Sequence, residues 1–453
     1  MPIRIDDAAL REVPEGAKRL FVKSYGCQMN VYDGLRMAEL MAPQGYALVD
    51  AVEGADLVVL NTCHIREKAD DKVFSDIGRM KRAAPNAIIA VGGCTGQALG
   101  AKVFAHTNAV KIVFGPQTLH RLPQLLEKAQ SGQRAVDVDF PALEKFDALP
   151  TPGVYGASAF VTIQEGCDKF CTYCVVPYTR GAEISRPVAQ VLAEVESLAA
   201  RGVKEVTLLG QNVNAFASEG IGLAELCRRV GDVQGIARVR FTTSHPNNTG
   251  PDLIAAFAPA EAGGVPALMP YFHLPVQAGS DKVLARMNRN HTVASYLATI
   301  DAVRKVRPDV AISGDFIVGF PGETEEDFAE TLKLAAHVGY VGAYSFAFSP
   351  RPGTPAAELP DQLDNATKQA RLAALQAVLD AGTAVFCKRF VGQILECLVE
   401  GPGREAGQLR ARSPHNLPVN FTFGDADPVG LVGQLVQVKI ESSTDRSLLG
   451  VLV

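Results

Sequence analysis

Three cysteines, Cys167, Cys171 and Cys174, stand in a C-x3-C-x2-C spacing within QEGCDKFCTYCVVPYTRGAEISRP, residues 164–187. Thiolates are soft ligands. Three so close together can wrap one iron–sulfur cube and leave its fourth iron without a protein ligand. A structural zinc site would close with a fourth Cys or His, and the histidines nearest in sequence, His120 and His245, lie far outside the segment. A metal knuckle or a set of buried thiols is the plain alternative. An open iron beside a strand end, by contrast, is a place for a small cofactor to bind.

The elements around these cysteines suit such a site. The apolar run Ala159–Ile163 reads as a buried strand that delivers the loop. Three further cysteines follow the same plan: Cys27, Cys63 and Cys94 each end an apolar run, Leu20–Cys27, Asp56–Cys63 and Ala87–Cys94. Helical patterns separate them, through Leu35 and Leu40 and over about residues 66–82. A fourth strand, Val110–Phe114, precedes a helix over Thr118–Gln130. Strand–helix alternation predicts a parallel sheet with helices on its faces. Its strands carry their carboxyl ends to one edge, where ligands bind. The three unconnected cysteines should therefore meet at one rim as a second three-thiolate site; singly, each would read as a small buried hydrophobe. Cys227, Cys387 and Cys397 fall on helix or strand positions and read as inert.

Composition bounds the rest. The 453 residues predict two to four domains, and 47% apolar with 21% charged residues is ordinary for a globular chain. No run of eighteen apolar residues appears, so no membrane span is expected. The polar, acidic N-terminus (residues 1–18, a loosely held arm) is no secretory signal. Nine cysteines, six in motif-like positions, point to a reducing cytoplasm and metal ligation. A net charge of −5 gives no overall attraction to nucleic acid, so any RNA contact must come from local basic patches.

Past a linker over about residues 137–156, six strand–helix units follow. The strands read as 159–165, 203–210, 237–243, 271–276, 312–318 and 341–348. The helices read as 188–201, 222–233, 250–258, 280–289, 293–306 and 324–338. Six such units make an incomplete barrel whose chemistry sits on the loops after the strand ends. Pro187 suits a first helical turn, and Thr324 with Asp327 has a capping-box spacing with Asp in place of Glu. At the strand ends, Gln211 and Asn212 offer carboxamides to a cofactor or substrate, Gln277 lies in HLPVQAGS, and Gly319 lies in GDFIVGFPGE, where glycine lets backbone approach a nucleoside. Arg286, Arg289 and His291 form a candidate RNA-facing patch or a solvated helix face. A helix over about residues 365–387 reads as a connector. From Phe390 the pattern changes to short alternating strands broken by glycines, a small antiparallel barrel. Its charge is near balance, so RNA binding there would rest on Arg404, Arg410 and Arg412.

The C-x3-C-x2-C word with Tyr173 before its last cysteine resembles the radical S-adenosylmethionine signature. GCDKFCTYCVVPYTRG and SRP, with SYGCQMN, NTCHIREKA and GGCTGQ upstream, resemble the methylthiotransferases of that superfamily. GGCTGQ is looser than the usual third word, and Gly34 stands where relatives often carry Ser. The resemblance implies an N-terminal α/β domain (18–135), a partial (β/α)6 TIM-like radical barrel with its connecting helix (153–388) and a TRAM domain (389–453). It implies two [4Fe–4S] clusters: one on Cys167, Cys171 and Cys174 that binds S-adenosylmethionine, the other an auxiliary cluster on Cys27, Cys63 and Cys94. One S-adenosylmethionine would methylate sulfur at the auxiliary cluster. Another would yield the radical that activates C2 of N6-isopentenyladenosine at position 37, beside the anticodon of transfer RNA. The implied partners are that tRNA and an electron donor such as a flavodoxin-type reductant. SYGCQMN and YTRGAEISRP favour this branch over relatives acting on threonylcarbamoyladenosine or on a ribosomal-protein aspartate. From another class, a non-catalytic RNA-binding cluster carrier would not consume S-adenosylmethionine.

Overall fold

Apolar, largely β-branched runs build a six-stranded parallel sheet in the N-terminal part of the computed structural model, which describes residues 13–64, 67–141, 144–153 and 156–453. The spatial order is Tyr46–Val49, Lys18–Ser24, Leu57–Thr62, Ile88–Gly92, Val110–Phe114, Ala135–Asp137. Leu57–Thr62, in the middle, is buried along its whole length, as a parallel strand covered on both faces must be. One core layer lies on each face, around Leu20, Met37 and Phe114 on one side and Val58, Ile77 and Val91 on the other. The order reverses between Lys18–Ser24 and Leu57–Thr62. The carboxyl ends of those two strands therefore flank the crevice where such sheets take ligands.

The four expected strands are present. The sequence reading missed Tyr46–Val49 and Ala135–Asp137. Of the arm expected over residues 1–18, residues 1–12 lie outside the described residues and the first strand already begins at Lys18; the helix start at residue 66 also lies outside them, and the helix runs Glu67–Ala83. The stretch read as a linker needs correction. It holds a short helix, Glu144–Ala148, whose Lys145 is fully buried against the sheet domain and the barrel.

In the barrel the strands are Ser158–Thr162, Glu205–Leu209, Arg238–Thr242, Tyr271–His273, Ala311–Ser313 continued by Asp315–Val318, and Tyr344–Ala347. All ladders between them are parallel. Among the described residues Ser158–Thr162 and Tyr344–Ala347 do not pair with each other, so the barrel stays open. Helix Glu325–Val338 begins with the reciprocal Thr324–Asp327 capping box, aspartate serving where glutamate is usual. Pro187 is the N-cap of its helix, one position before the first turn.

The C-terminal segment closes a five-stranded barrel: Ile394–Pro402, Gln408–Arg412, Pro418–Thr422, Leu448–Leu452 and Leu435–Ser443 in spatial order. It docks under the strand starts of the open barrel, opposite the cysteine loop. There buried Arg238 donates to the carbonyls of Arg412 (3.0 Å) and Glu396 (2.5 Å). Arg240 donates to those of Pro414 (2.8 Å) and Ser413 (2.9 Å), and its charge is met by Glu205 at 3.1 Å. Helix Asn365–Lys388 is long and apolar enough to cross a membrane by length and composition alone, which the sequence reading did not register. Here Leu375 and Leu379 pack into the open barrel's core, and Phe386 and Cys387 into the small barrel's.

Candidate cluster and cofactor site

Cys27, Cys63 and Cys94 follow three adjacent strands of the sheet, and short polar links pin their loops together. Asn30 sits at the switch point. Its amide nitrogen donates to the carbonyls of Tyr25 (2.7 Å) and Thr62 (2.8 Å), tying the residues just before Cys27 and Cys63. Its own carbonyl accepts from Ser24 Oγ (2.9 Å) and Asn61 Nδ2 (2.6 Å). Thr62 Oγ1 donates to Gly92 O (2.6 Å), and Thr95 Oγ1 donates to Cys63 O (3.2 Å), which locks the Cys63 loop to the Cys94 loop. Gly26 is in the left-handed region at φ 89°, and a Cβ on it would stand 2.5 Å from Cys63 Cβ and 2.6 Å from its sulfur. Only glycine allows the two loops to approach so closely. The Cys27 thiol donates to Asn30 Oδ1 at 3.6 Å. Although exposed at the rim, it lies in a recess where lost hydration raises its pKa, an effect opposed by Arg180 and reinforced by Cys94.

The second set lies on the loop after Ser158–Thr162. Gly166, at φ 76°, makes the turn; a Cβ there would stand 1.9 Å from Ala182 O. Cys167 N–H donates to Gly181 O (3.2 Å) and Cys174 N–H to Cys171 O (2.9 Å). From one side Gln211 Oε1 accepts Gly166 N–H (2.7 Å). From the other, Thr172 donates to the carbonyls of Met287 (3.0 Å) and Arg286 (2.9 Å). Burial pushes the Cys167 thiol up to about 11 and the Cys174 thiol up to about 12, with Cys171 adding to both. Cys167 and Cys174 thus resist becoming thiolates until a cation joins them. Among the described residues no three His, Cys, Asp or Glu side chains converge closely enough to hold a single metal ion.

Arg180 joins the two sets. Fully enclosed, its guanidinium reaches Asn30 Oδ1 (3.2 Å), Asp33 (2.8 Å) and Glu165 (3.6 Å). Lys145 bridges the same two carboxylates, at 2.9 Å from Asp33 and 2.5 Å from Glu165. Gln117 Nε2 closes the network on Glu165 (2.6 Å) and Arg180 O (3.0 Å). Sheet domain, linker helix and cysteine loop thus share one buried charge network.

At the barrel's strand ends several polar atoms are buried without a hydrogen-bond partner among the described residues: Asn212 Oδ1, Ser244 Oγ, His245 Nε2, His291 Nε2 and Arg289 Nε. Such atoms are rare unless something else satisfies them. Burial, then Arg289 and Lys169, hold His245 down to about 2, so its ring is neutral. Asn212 also donates to Glu183 (3.1 Å) and Asn248 (3.3 Å).

Other residues singled out from sequence lie elsewhere. Gln211 supports the cysteine loop. Gln277, at φ 80°, bridges Asp315 O and Ile317 N–H with its backbone (both 2.9 Å). Gly319, at φ 70°, lies against the Lys368 side chain, whose Cγ is 2.3 Å from where a Cβ would stand. The RNA-facing reading of Arg289 is overturned: it is buried, donating to Cys171 Sγ (3.7 Å) and Pro275 O (2.5 Å). Arg286 is half-buried against Gly322. In the small barrel Arg410 and Arg412 are both held by Glu400, at 3.1 and 2.8 Å, while Arg404 is exposed. Sequence reasoning missed Asn30, Thr62, Thr95, Arg180 and Lys145. The signal for four of them was that Asn30, Thr62, Thr95 and Arg180 all stand within the quoted cysteine words.

Residues 161–335 match the radical SAM superfamily, residues 19–115 the uncharacterized protein family UPF0004, and residues 388–453 the TRAM domain. The chain is 52% identical over 452 residues to the tRNA-2-methylthio-N(6)-dimethylallyladenosine synthase of Maricaulis maris, covering 96% of this chain and 97% of that one. The protein of that name from Jannaschia sp. is 51% identical over 451 residues, covering 98% and 96%. Of solved structures, the radical S-adenosylmethionine methyltransferase TsrM from Kitasatospora setae, with cobalamin and a [4Fe-4S] cluster bound, matches with a TM-score of 0.55 at 15% identity, over 75% of this chain and 77% of that chain. That likeness speaks for the fold. The chain belongs to the tRNA-2-methylthio-N(6)-dimethylallyladenosine synthase family of radical S-adenosylmethionine enzymes.

Proposed function

We propose that the chain adds a methylthio group to C2 of N6-isopentenyladenosine at position 37 of tRNA, with Cys167, Cys171 and Cys174 holding one [4Fe–4S] cluster and Cys27, Cys63 and Cys94 the other. The observation that carries this is the joining of two three-thiol sets through Arg180 and Asn30. The residues present fit the groups. Among the described residues neither set gathers a fourth Cys, His, Asp or Glu, Gly26 lets the Cys27 and Cys63 loops close on each other, and unsatisfied polar atoms line the strand ends beside the cysteine loop. When bound, the cluster on Cys167, Cys171 and Cys174 would supply radical chemistry with S-adenosylmethionine, and the cluster on Cys27, Cys63 and Cys94 would supply the place for sulfur and its methyl group.

The chain's own side chains do the rest. The six thiols release protons as they take iron. Arg289 sets a fixed positive charge against Cys171, and Arg180 sets one beside the rim. Asn212, Ser244, His245 and His291 offer neutral hydrogen-bonding atoms to the amino-acid and nucleoside parts of S-adenosylmethionine. We assign residues 18–135 to the sheet domain, 153–388 to the barrel and 389–453 to the TRAM domain. A reducing cytoplasm, supported by nine free cysteines, and a flavodoxin-type electron donor complete the reading.

The test is mass spectrometry of tRNA nucleosides from a deletion strain. Methylthio-isopentenyladenosine should vanish, return with the wild-type gene, and stay absent with a gene carrying Ala at 167, 171 and 174. If isopentenyladenosine carries its methylthio group in the deletion strain, the reading is wrong. Loss of methylthiolated threonylcarbamoyladenosine instead would move the enzyme to its sister branch.

A further inference from the structure

Among the described residues four aromatic side chains are exposed: Phe140, Phe170, Tyr178 and Tyr344. Their placement is uneven. Phe170 and Tyr178 stand on the cysteine loop itself, and Phe140 lies against Gly181 at its end, where a Cβ would meet the ring at 2.9 Å. Phe170 directly precedes Cys171 and is 53% exposed; Tyr178 is 50% exposed.

The backbone holds Phe170 outward at a cost. Its φ is 47°, in the left-handed region that a bulky side chain seldom occupies. Asn288 enforces it, donating through Nδ2 to Phe170 O at 3.0 Å. The two rings meet edge to face, with centroids 6.4 Å apart and planes at 80°, forming an open aromatic corner. Lys169 directly precedes Phe170, and its positive charge reaches His245 at the strand ends, where it helps keep that ring neutral.

We propose that Phe170 and Tyr178 form a stacking platform for the unpaired bases that flank the base entering the barrel, with Lys169 beside it for their phosphates. This rests on the tRNA reading above and names where that RNA is gripped. Loop bases present flat faces that stack on aromatic rings regardless of sequence, which is how single-stranded RNA is commonly held. The corner's position beside the cysteines puts it within reach of a loop that inserts one base. A duplex stem offers no free base faces there.

The experiment uses the full-length protein with both clusters reconstituted, and fluorescence anisotropy over a salt series. The probes are an isopentenylated anticodon stem-loop RNA and a blunt duplex of the same stem. The variants are Phe170→Leu, Phe170→Trp, Tyr178→Leu and Tyr178→Phe. The Leu variants should weaken stem-loop binding by about tenfold, the effect of losing one base–aromatic stack. The aromatic replacements should stay near wild type, and duplex affinity and the salt slope should not move, because phosphate contacts are untouched. Wild-type stem-loop affinity in both Leu variants overturns the proposal, as does equal loss in the Leu and aromatic variants. It is also overturned if the Leu variants bind RNA normally but accept electrons poorly from a flavodoxin-type protein, since the corner then serves a protein partner. Nucleoside analysis of the same wild-type sample separates the two readings. Leu-sensitive binding without methylthio product sinks the reaction and keeps the platform; product with Leu-insensitive binding does the reverse.

Discussion

Arg180 Nη2 and Asn30 Oδ1 meet at 3.2 Å where the barrel's cysteine loop touches the thiol rim of the sheet. The same amide oxygen accepts the Cys27 thiol at 3.6 Å, while its nitrogen is committed to Tyr25 O and Thr62 O. The amide cannot flip without losing all of these. A guanidinium from the barrel thus ends one atom away from a rim thiol, and the two cysteine sets form one packed assembly.

The rim cysteines should act as a unit. Replacing Cys27, Cys63 or Cys94 singly with Ala should lower iron from about eight to about four per chain, as expected for loss of one of two four-iron cubes. Each variant should still cleave S-adenosylmethionine to 5′-deoxyadenosine and leave isopentenyladenosine without a methylthio group. Full methylthiolation by Cys94→Ala would remove that residue from the ligand set.

Gly26→Ala tests the rim without touching a ligand. The new methyl would stand 2.5 Å from Cys63 Cβ, on a backbone at φ 89°. The loops must part, so this variant should lose rim iron and keep barrel iron, read by iron analysis and Mössbauer spectra. Normal iron content would show that the loops can yield.

Lys145→Met should destabilise the chain by about 3–5 kcal/mol, the usual result of stripping one partner from a buried ion network. Asp33 and Glu165 would be left to share the Arg180 cation, with Gln117 still donating to Glu165. Urea unfolding measures the loss, and adding Asp33→Asn should recover part of it. A change under about 1 kcal/mol, the scale of a surface pair, would mean the network relaxes easily.

Asp327 gives a pH signature. Burial pushes its carboxyl up, but hydrogen bonds from Thr324 N–H, Ser280, Lys282 and the Thr324 hydroxyl outweigh this and hold it at about 2. The folded value lies below the unfolded value of about 3.9. The stabilisation is therefore present above pH 4 or so and fades as pH falls toward 2. Asp327→Ala should cost about 1–2 kcal/mol at pH 7, as lost caps do, and progressively less at pH 4 and pH 3. A cost independent of pH would contradict the carboxylate's role.

The placement of Cys27, Cys63 and Cys94 after three adjacent strands was legible, because strand ends follow from local apolar runs and parallel topology carries those ends to one edge. Lys145 was not. It sits in a proline-bearing stretch, and its burial depends on Asp33 and Glu165, far from it in the chain. Arg289 misled because helical periodicity was extended over it, whereas the helix ends at Arg286 and the chain turns through Asn288 and Asn290 at positive φ. Arg410 and Arg412 looked available because Glu400, their partner, lies across a hairpin. Tyr46–Val49 was too short to stand out as a strand.

The docking of the small barrel under the strand starts has a consequence for how the chain holds together. Arg238 and Arg240 are buried beside Glu205, and their guanidiniums donate to backbone carbonyls of the small barrel. Without that barrel two buried cations would lose those acceptors, a costly exposure of unpaired charge. The small barrel is therefore the floor on which the open barrel's first strands stand, and not a detachable appendage.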